Sequence, residues 1–312
     1  MKLVSFGPAG GEQPGVLIDD RTLMPVAPVL GRAGLECRRM PALLAMWSMA
    51  APLIADALRN PSTVVRVDEV RLGPPVPDPA TVVAIGFNYP LHSAGLLAGI
   101  GSAEPIVFLK PTTSVTGPSD PVLRPPETRQ LDYELELGVV IGRTARRVSR
   151  DRAAGHIAGY LMANDITARD VALGAAHRHP LLAQIARGKG SPSFCPTGPW
   201  LATPDELPDG PLELRLSVNG ELRQNGSTAQ MLVDVPGLIE SVTSSVELRP
   251  GDILLTGTPD GCGFQLDPPR FLQPGDRVSA TITGLGRMDL TVQDEPVPAG
   301  SGPGPADRIP AR

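Results

Sequence analysis

The stretch that most restricts the fold of this chain is residues 131–142, LDYELELGVVIG. Leu131, Tyr133, Leu135, Leu137, Val139 and Ile141 occupy every odd position up to 141. Alternate residues of a β-strand share a face, so this period of two predicts a strand with one continuous apolar side. Glu134 and Glu136 then project together from the other side, about 6.6 Å apart along the strand. Two carboxylates that close raise each other's pKa, and something must offset the repulsion. Water does so on an exposed face, and a hard divalent cation does so better.

A third carboxylate follows. Ser149 is placed to cap a short helix, with Asp151 in its first turn where the helix dipole favours an anion. The apolar run 159–163 then ends in Asn164-Asp165 and reads as a strand delivering Asp165 at its end. Three oxygen donors of this kind suit Mg²⁺ or Mn²⁺, with Ca²⁺ also admissible and water or substrate completing the shell. From spacing alone, a solvated sheet face plus a turn aspartate explains the same residues.

Composition narrows the function classes. A net charge of −5 argues against nucleic acid or an anionic membrane as the main partner. An aromatic content of 4% argues against a base-stacking platform. No apolar run approaches the length needed to span a bilayer, and MKLVSFG at the start lacks the sustained apolar segment of a signal peptide. Cys37, Cys195 and Cys262 are scattered, without a CxxC pair, which fits a reducing cytoplasm.

Residues 1–75 read as a small N-terminal α/β module: strands at 2–6 and 15–18, then a helix over 43–58. The proline-rich run 74–79 marks the boundary. Residues 76–293 form the main unit. Within it, 82–86 and 105–111 read as strands, and 187–193 as a mobile loop. Residues 212–218 alternate cleanly into Asn219-Gly220, a two-residue hairpin turn of the I′ type. A helix is predicted over 237–246, a strand over 252–256 and a last long strand over 277–282. Residues 294–312, rich in Pro, Gly and Ala, read as a disordered tail.

The blocks Asp132-Tyr133-Glu134-Leu135-Glu136-Leu137 and Asn164-Asp165-Ile166-Thr167-Ala168-Arg169-Asp170 resemble the fumarylacetoacetate hydrolase family. Further blocks occur in family order: Gly86-Phe87-Asn88-Tyr89-Pro90-Leu91-His92, Arg187-Gly188-Lys189, Pro250-Gly251-Asp252 and Thr256-Gly257-Thr258-Pro259. The resemblance implies an α+β, mostly β fold, with a mixed β-sandwich and β-roll catalytic domain. It implies Glu134, Glu136 and Asp165 as metal ligands, His92 as the general base and Lys189 as the lysine that reaches metal-bound substrate. Tyr89, Lys110, Arg169 and Thr258 are candidate substrate contacts. For Lys110 a solvated side chain is the alternative, and for Arg169 a brace on Asp165.

The activity so implied is hydrolytic C–C cleavage of an acylpyruvate or related β-diketo acid through a metal-bound enolate, in a cytoplasmic homodimer. Two positions depart from the family pattern. The Glu expected three residues after His92 is Gly95, and the Gln expected three after Arg169 is Ala172. A decarboxylase, isomerase, hydratase or cyclase working through the same enolate therefore stays open. Intact Glu134, Glu136, Asp165 and Lys189 argue against a non-catalytic binder of small molecules.

Overall fold

The alternating stretch lies at the centre of the protein, in a computed structural model that describes residues 1–90, 104–176 and 178–297. It is two strands rather than one. Leu131–Asp132 pairs with Thr167–Ala168, whereas Leu135–Ile141 pairs with Ile157–Asn164 and Ile253–Leu255. Tyr133 and Glu134 lie at the switch between these two sets of partners.

The one-sided burial expected from the alternation is also corrected. Every residue of Leu135–Ile141 is buried. Leu135 and Leu137 pack into a core with Leu214, Leu216, Ala280 and Leu290 of a second sheet. Val139 and Ile141 pack with Leu238, Ile239 and Val242 of the helix Val235–Ser245. On the opposite face, Val140 joins the core beneath the N-terminal strands. A strand interior to a wide sheet is covered on both sides, so its polar-looking face is not a solvated one. Fully burying each such aliphatic side chain contributes about 1.5–3 kcal/mol. The cores on either face therefore hold the strand that carries Glu136.

The main sheet runs in the order Val65–Arg66, Thr22–Pro25, Gln13–Leu17, Lys2–Phe6, Leu201–Ala202, Ile157–Asn164, Leu135–Ile141, Ile253–Leu255, Val82–Gly86, Ile106–Lys110. The N-terminal strands are thus continuous with the rest through Leu201–Ala202, which pairs with both Lys2–Phe6 and Ile157–Asn164. Gly159 permits that junction: a Cβ there would sit 2.1 Å from the Ala202 carbonyl oxygen. Leu3, Met24, Leu43 and Ile54 share one core with Val82, Leu161 and Leu255. The stretch expected as one helix forms two, Met40–Ala45 and Trp47–Arg59, meeting at Met46. Apolar spacing continues across that break because it reports which side faces the core, not which hydrogen bonds persist.

The second sheet runs Glu221–Ser227, Glu213–Val218, Arg277–Ile282, Arg287–Asp294, Val122–Arg124. Asn219 and Gly220 join its first hairpin with φ of 52° and 82°, the left-handed pair that a I′ turn requires. Arg277–Ile282 is not the last strand, because Arg287–Asp294 follows and pairs with it and with Val122–Arg124. Asp294, expected in the tail, is therefore in the sheet, and Glu295 donates its N–H to the Arg124 carbonyl. The remainder of that expectation, residues 298–312, lies outside the described residues. The architecture is α+β and mostly β: among the described residues, a ten-stranded and a five-stranded sheet share a core, two two-stranded sheets accompany them, helices pack on the larger sheet, and there is no closed barrel.

Candidate metal centre

The change of partners at residues 133–134 brings the acidic groups together. Glu134 donates its N–H to Asn164 Oδ1 at 2.9 Å, and Asp165 donates its N–H to the Glu134 carbonyl at 2.8 Å. These two bonds clamp the start of one strand to the end of its neighbour. Glu136, two residues on, receives the Gly257 N–H at 2.7 Å on Oε2. Glu134, Glu136 and Asp165 are all buried, and each offers a ligand oxygen lying within 4.8 Å of the others.

Two lysines grip the cluster. Lys189 Nζ donates to Glu134 Oε2 and Asp165 Oδ2 at 2.6 Å each and to Thr167 Oγ1 at 2.9 Å. Its position corrects the first part of the loop expected over 187–193, while residues 190–193 are irregular. Ile185–Lys189 is a short helix, and Lys189 at its end is buried, 5.1 Å from the Phe108 ring centroid. Burial alone pushes the Lys189 ammonium down, but the Asp165 and Glu134 carboxylates outweigh it and hold it above its usual value. Lys110, expected either to meet substrate or to be solvated, has a fully buried side chain. Its Nζ donates to Asp165 Oδ1 at 2.6 Å and to the Lys189 carbonyl at 2.5 Å. The solvated alternative is therefore overturned: its ammonium meets a carboxylate inside the protein.

Arg169 braces a different acid from the one expected. Its Nη2 donates to Glu134 Oε1 at 2.5 Å and its Nε to Asp132 Oδ2 at 2.9 Å, with the guanidinium 4.3 Å from the Phe264 ring centroid. Asp132 was not singled out from the sequence. It also accepts the N–H groups of Tyr133, Gly263 and Phe264, tying the 261–264 segment to the cluster. The available signal was its phase: Asp132 stands two residues before Glu134, as Glu134 does before Glu136. Gln224 had no such signal. Its side chain accepts the Leu135 N–H and donates to Thr258 Oγ1 and the Pro259 carbonyl.

Thr258 is buried, and its hydroxyl donates to the Leu135 carbonyl at 2.9 Å while accepting from Gln224, which leaves its backbone N–H as the group it offers a substrate oxygen. Tyr89 is the converse. It is 2% exposed, and its hydroxyl has no hydrogen-bond partner among the described residues. Burial, then the Glu136 charge, pushes that phenol up, so it stays a neutral donor. Burial pushes the Cys195 thiol up to about 12, which leaves it protonated at neutral pH and unsuited to nucleophilic attack. His92, Gly95 and His177 lie outside the described residues.

Three convergent buried carboxylates fit a hard divalent cation. Burial, and then the Asp165 and Glu134 charges, push the Glu136 carboxyl well above its ordinary range. Without an ion, the folded protein keeps a proton on Glu136 that the unfolded chain releases near pH ~4.3. Stability of that form therefore falls as pH rises from there through the folded value. A dication expels the proton, so its affinity rises with pH across the same window. Mn²⁺ is expected to raise the melting temperature more at about pH 8 than at about pH 5.5. Equal gains at both pH values in calorimetric scans would contradict proton-coupled binding.

A family model described as fumarylacetoacetate (FAA) hydrolase C-terminal matches residues 81–293. The 2,4-didehydro-3-deoxy-L-rhamnonate hydrolase of Sphingomonas sp. (strain SKA58) is 37% identical over 296 residues, 94% of this chain and 96% of that relative. Among solved structures, a probable 2-hydroxyhepta-2,4-diene-1,7-dioate isomerase from Mycobacterium abscessus matches with a TM-score of 0.79 at 45% identity. That match covers 95% of this chain and 100% of the other. Maleylpyruvate hydrolase from Sphingobium sp. SYK-6, in complex with manganese(II) and pyruvate, matches with a TM-score of 0.77 at 29% identity over the same shares. Hydrolases and isomerases of small molecules are thus both similar to this chain along nearly its whole length. A family model spanning most of the sequence, together with relatives alike from end to end, makes this chain a member of the fumarylacetoacetate hydrolase family.

Proposed function

We propose that this protein is a divalent-metal-dependent hydrolase that cleaves a C–C bond in an acylpyruvate or related β-diketo acid. The observation that carries the reading is the meeting of Glu134, Glu136 and Asp165 within one buried cluster. Charge supports it. Four carboxylates (Asp132, Glu134, Glu136, Asp165) face three cations (Lys110, Arg169, Lys189), a formal balance of −1. A dication makes this +1, which a singly charged 2-oxo or 1,3-dicarbonyl acid neutralises.

In this reading Glu134, Glu136 and Asp165 hold Mg²⁺ or Mn²⁺, with Ca²⁺ admissible. Such an ion supplies Lewis-acid polarisation of a carbonyl and charge stabilisation for the enolate released on C–C cleavage. Lys189 stands against two of the three ligands and offers a fixed positive charge to the developing oxyanion. Tyr89 offers a substrate oxygen its hydroxyl, which has no hydrogen-bond partner among the described residues. Arg169 acts through its hold on Glu134, and His92 takes the proton from the attacking water. Two relatives support the substrate class. A 2,4-didehydro acid carries its oxidised carbons in a 1,3 relation, and the maleylpyruvate hydrolase was solved with manganese and pyruvate. The same reading takes the protein as a cytoplasmic homodimer. Among the described residues, no helix is long and apolar enough to cross a membrane.

A second reading, isomerisation, is favoured by the 45% identical isomerase-named structure and by Gly95, where the family places the acid that partners the base. Here the enolate is reprotonated at another carbon and no water attacks. The deciding experiment incubates acylpyruvates and 2-hydroxydienoic acids with the protein and Mn²⁺ or Mg²⁺. Release of a carboxylic acid and pyruvate selects the hydrolase. Migration of a double bond without release selects the isomerase. Turnover unaffected by a chelator would remove both.

A further inference from the structure

We propose that Lys110 is a positioning residue that keeps the divalent ion weakly held and aims Lys189, rather than a group that touches substrate. The inference rests on the triad being the ion site. Asp165 meets an ammonium on each oxygen, Lys110 on Oδ1 and Lys189 on Oδ2, both at 2.6 Å. The two lysines differ in freedom. The side chain of Lys110 is completely buried, and its strand, Ile106–Lys110, is paired residue by residue with Val82–Gly86. Lys189 ends a helix of five residues and retains 8% exposure of its side chain.

An incoming cation therefore meets Asp165 on the Oδ2 side, where Lys189 is the less enclosed of the two lysines, while Lys110 holds Oδ1 from the fully buried side. Three consequences follow. Lys110 occupies Oδ1 with a charged donor, which favours Oδ2 as the atom Asp165 gives the ion and makes it a monodentate ligand. Its charge, one ligand away from the ion, opposes binding and keeps the affinity low. Its second bond, at 2.5 Å to the Lys189 carbonyl, pins the end of the helix that carries Lys189. Ion retention and lysine alignment are thus coupled through one side chain on the strand at the sheet's edge.

Lys110→Met removes the charge and the donors, and Lys110→Gln keeps a donor without the charge. Both are titrated with Mn²⁺ by calorimetry and by the electron paramagnetic resonance signal of free Mn²⁺, next to the unaltered protein. Both variants are expected to bind Mn²⁺ about tenfold tighter or more, because a like charge has been taken from a low-dielectric site. At saturating Mn²⁺, kcat is expected to fall, more for the Met variant, with KM little changed. Unchanged or weaker Mn²⁺ affinity in either folded variant overturns the proposal. So does a raised KM with unaltered Mn²⁺ affinity, which marks a substrate contact. Failure of both variants to fold with Mn²⁺ present also overturns it, since Lys110 is then needed for the fold itself. If the unaltered protein binds no Mn²⁺, the triad reading fails first, and that result is separate from the others.

Discussion

Asp165→Asn is expected to abolish Mn²⁺ binding, to lower turnover by about a thousandfold or more, and to destabilise the fold by about 3–5 kcal/mol. The reason for so large an effect is that Asp165 is shared by two buried lysines, one on each oxygen. The amide keeps the shape and loses the charge. Lys110, with no exposed side-chain surface, is left with neutral acceptors in place of the carboxylate that balanced its charge. The amide nitrogen also turns a donor toward one of the two ammonium groups. Breaking a buried pair by neutralising one partner leaves an uncompensated charge, and that penalty exceeds what the pair itself contributed. Urea denaturation and Mn²⁺ calorimetry on the same preparation give both numbers. A variant that binds Mn²⁺ like the parent would show that Asp165 is not a ligand.

Lys189→Met is expected to lower kcat by about a hundred- to a thousandfold while leaving Mn²⁺ affinity undiminished. Lys189 touches two of the three proposed ligands and Thr167, yet it is a cation and cannot itself ligate the ion. Removing it takes positive charge from the place where negative charge develops during cleavage, and leaves the three carboxylates to the ion. Steady-state rates at saturating Mn²⁺, paired with Mn²⁺ titration, separate this from a ligand loss. Loss of Mn²⁺ binding would mean that Lys189 organises the site; turnover close to the parent's would mean that it has no part in the reaction. The contrast with Asp165→Asn is diagnostic, since the two changes touch the same short contact from opposite sides.

Much of the site is legible in the sequence because it is written in local geometry. A period of two places Glu134 and Glu136 on one side of the chain. Asn164-Asp165 at the end of an apolar run places the third acid at a strand terminus, and Asn219-Gly220 specifies its turn through backbone preference alone. What is not legible depends on segments far apart in the chain. Lys110 lies 55 residues from Asp165, and Gln224 lies 89 from Leu135. A lysine at the end of a strand reads the same whether it meets water, substrate or a buried carboxylate. The hydroxyl of Thr258 likewise gives no sign that the Leu135 carbonyl and Gln224 occupy it.

The acidic residues, their spacing and the family that the ordered blocks resemble are all legible in the chain itself, since pattern and turn chemistry act over a few residues. Packing in three dimensions sets which cation answers which carboxylate, encloses the acidic face and joins the N-terminal strands to the same sheet. Those outcomes follow from burial. Inside a protein each charge must find its partner through space, and that pairing is set by how distant strands and helices pack.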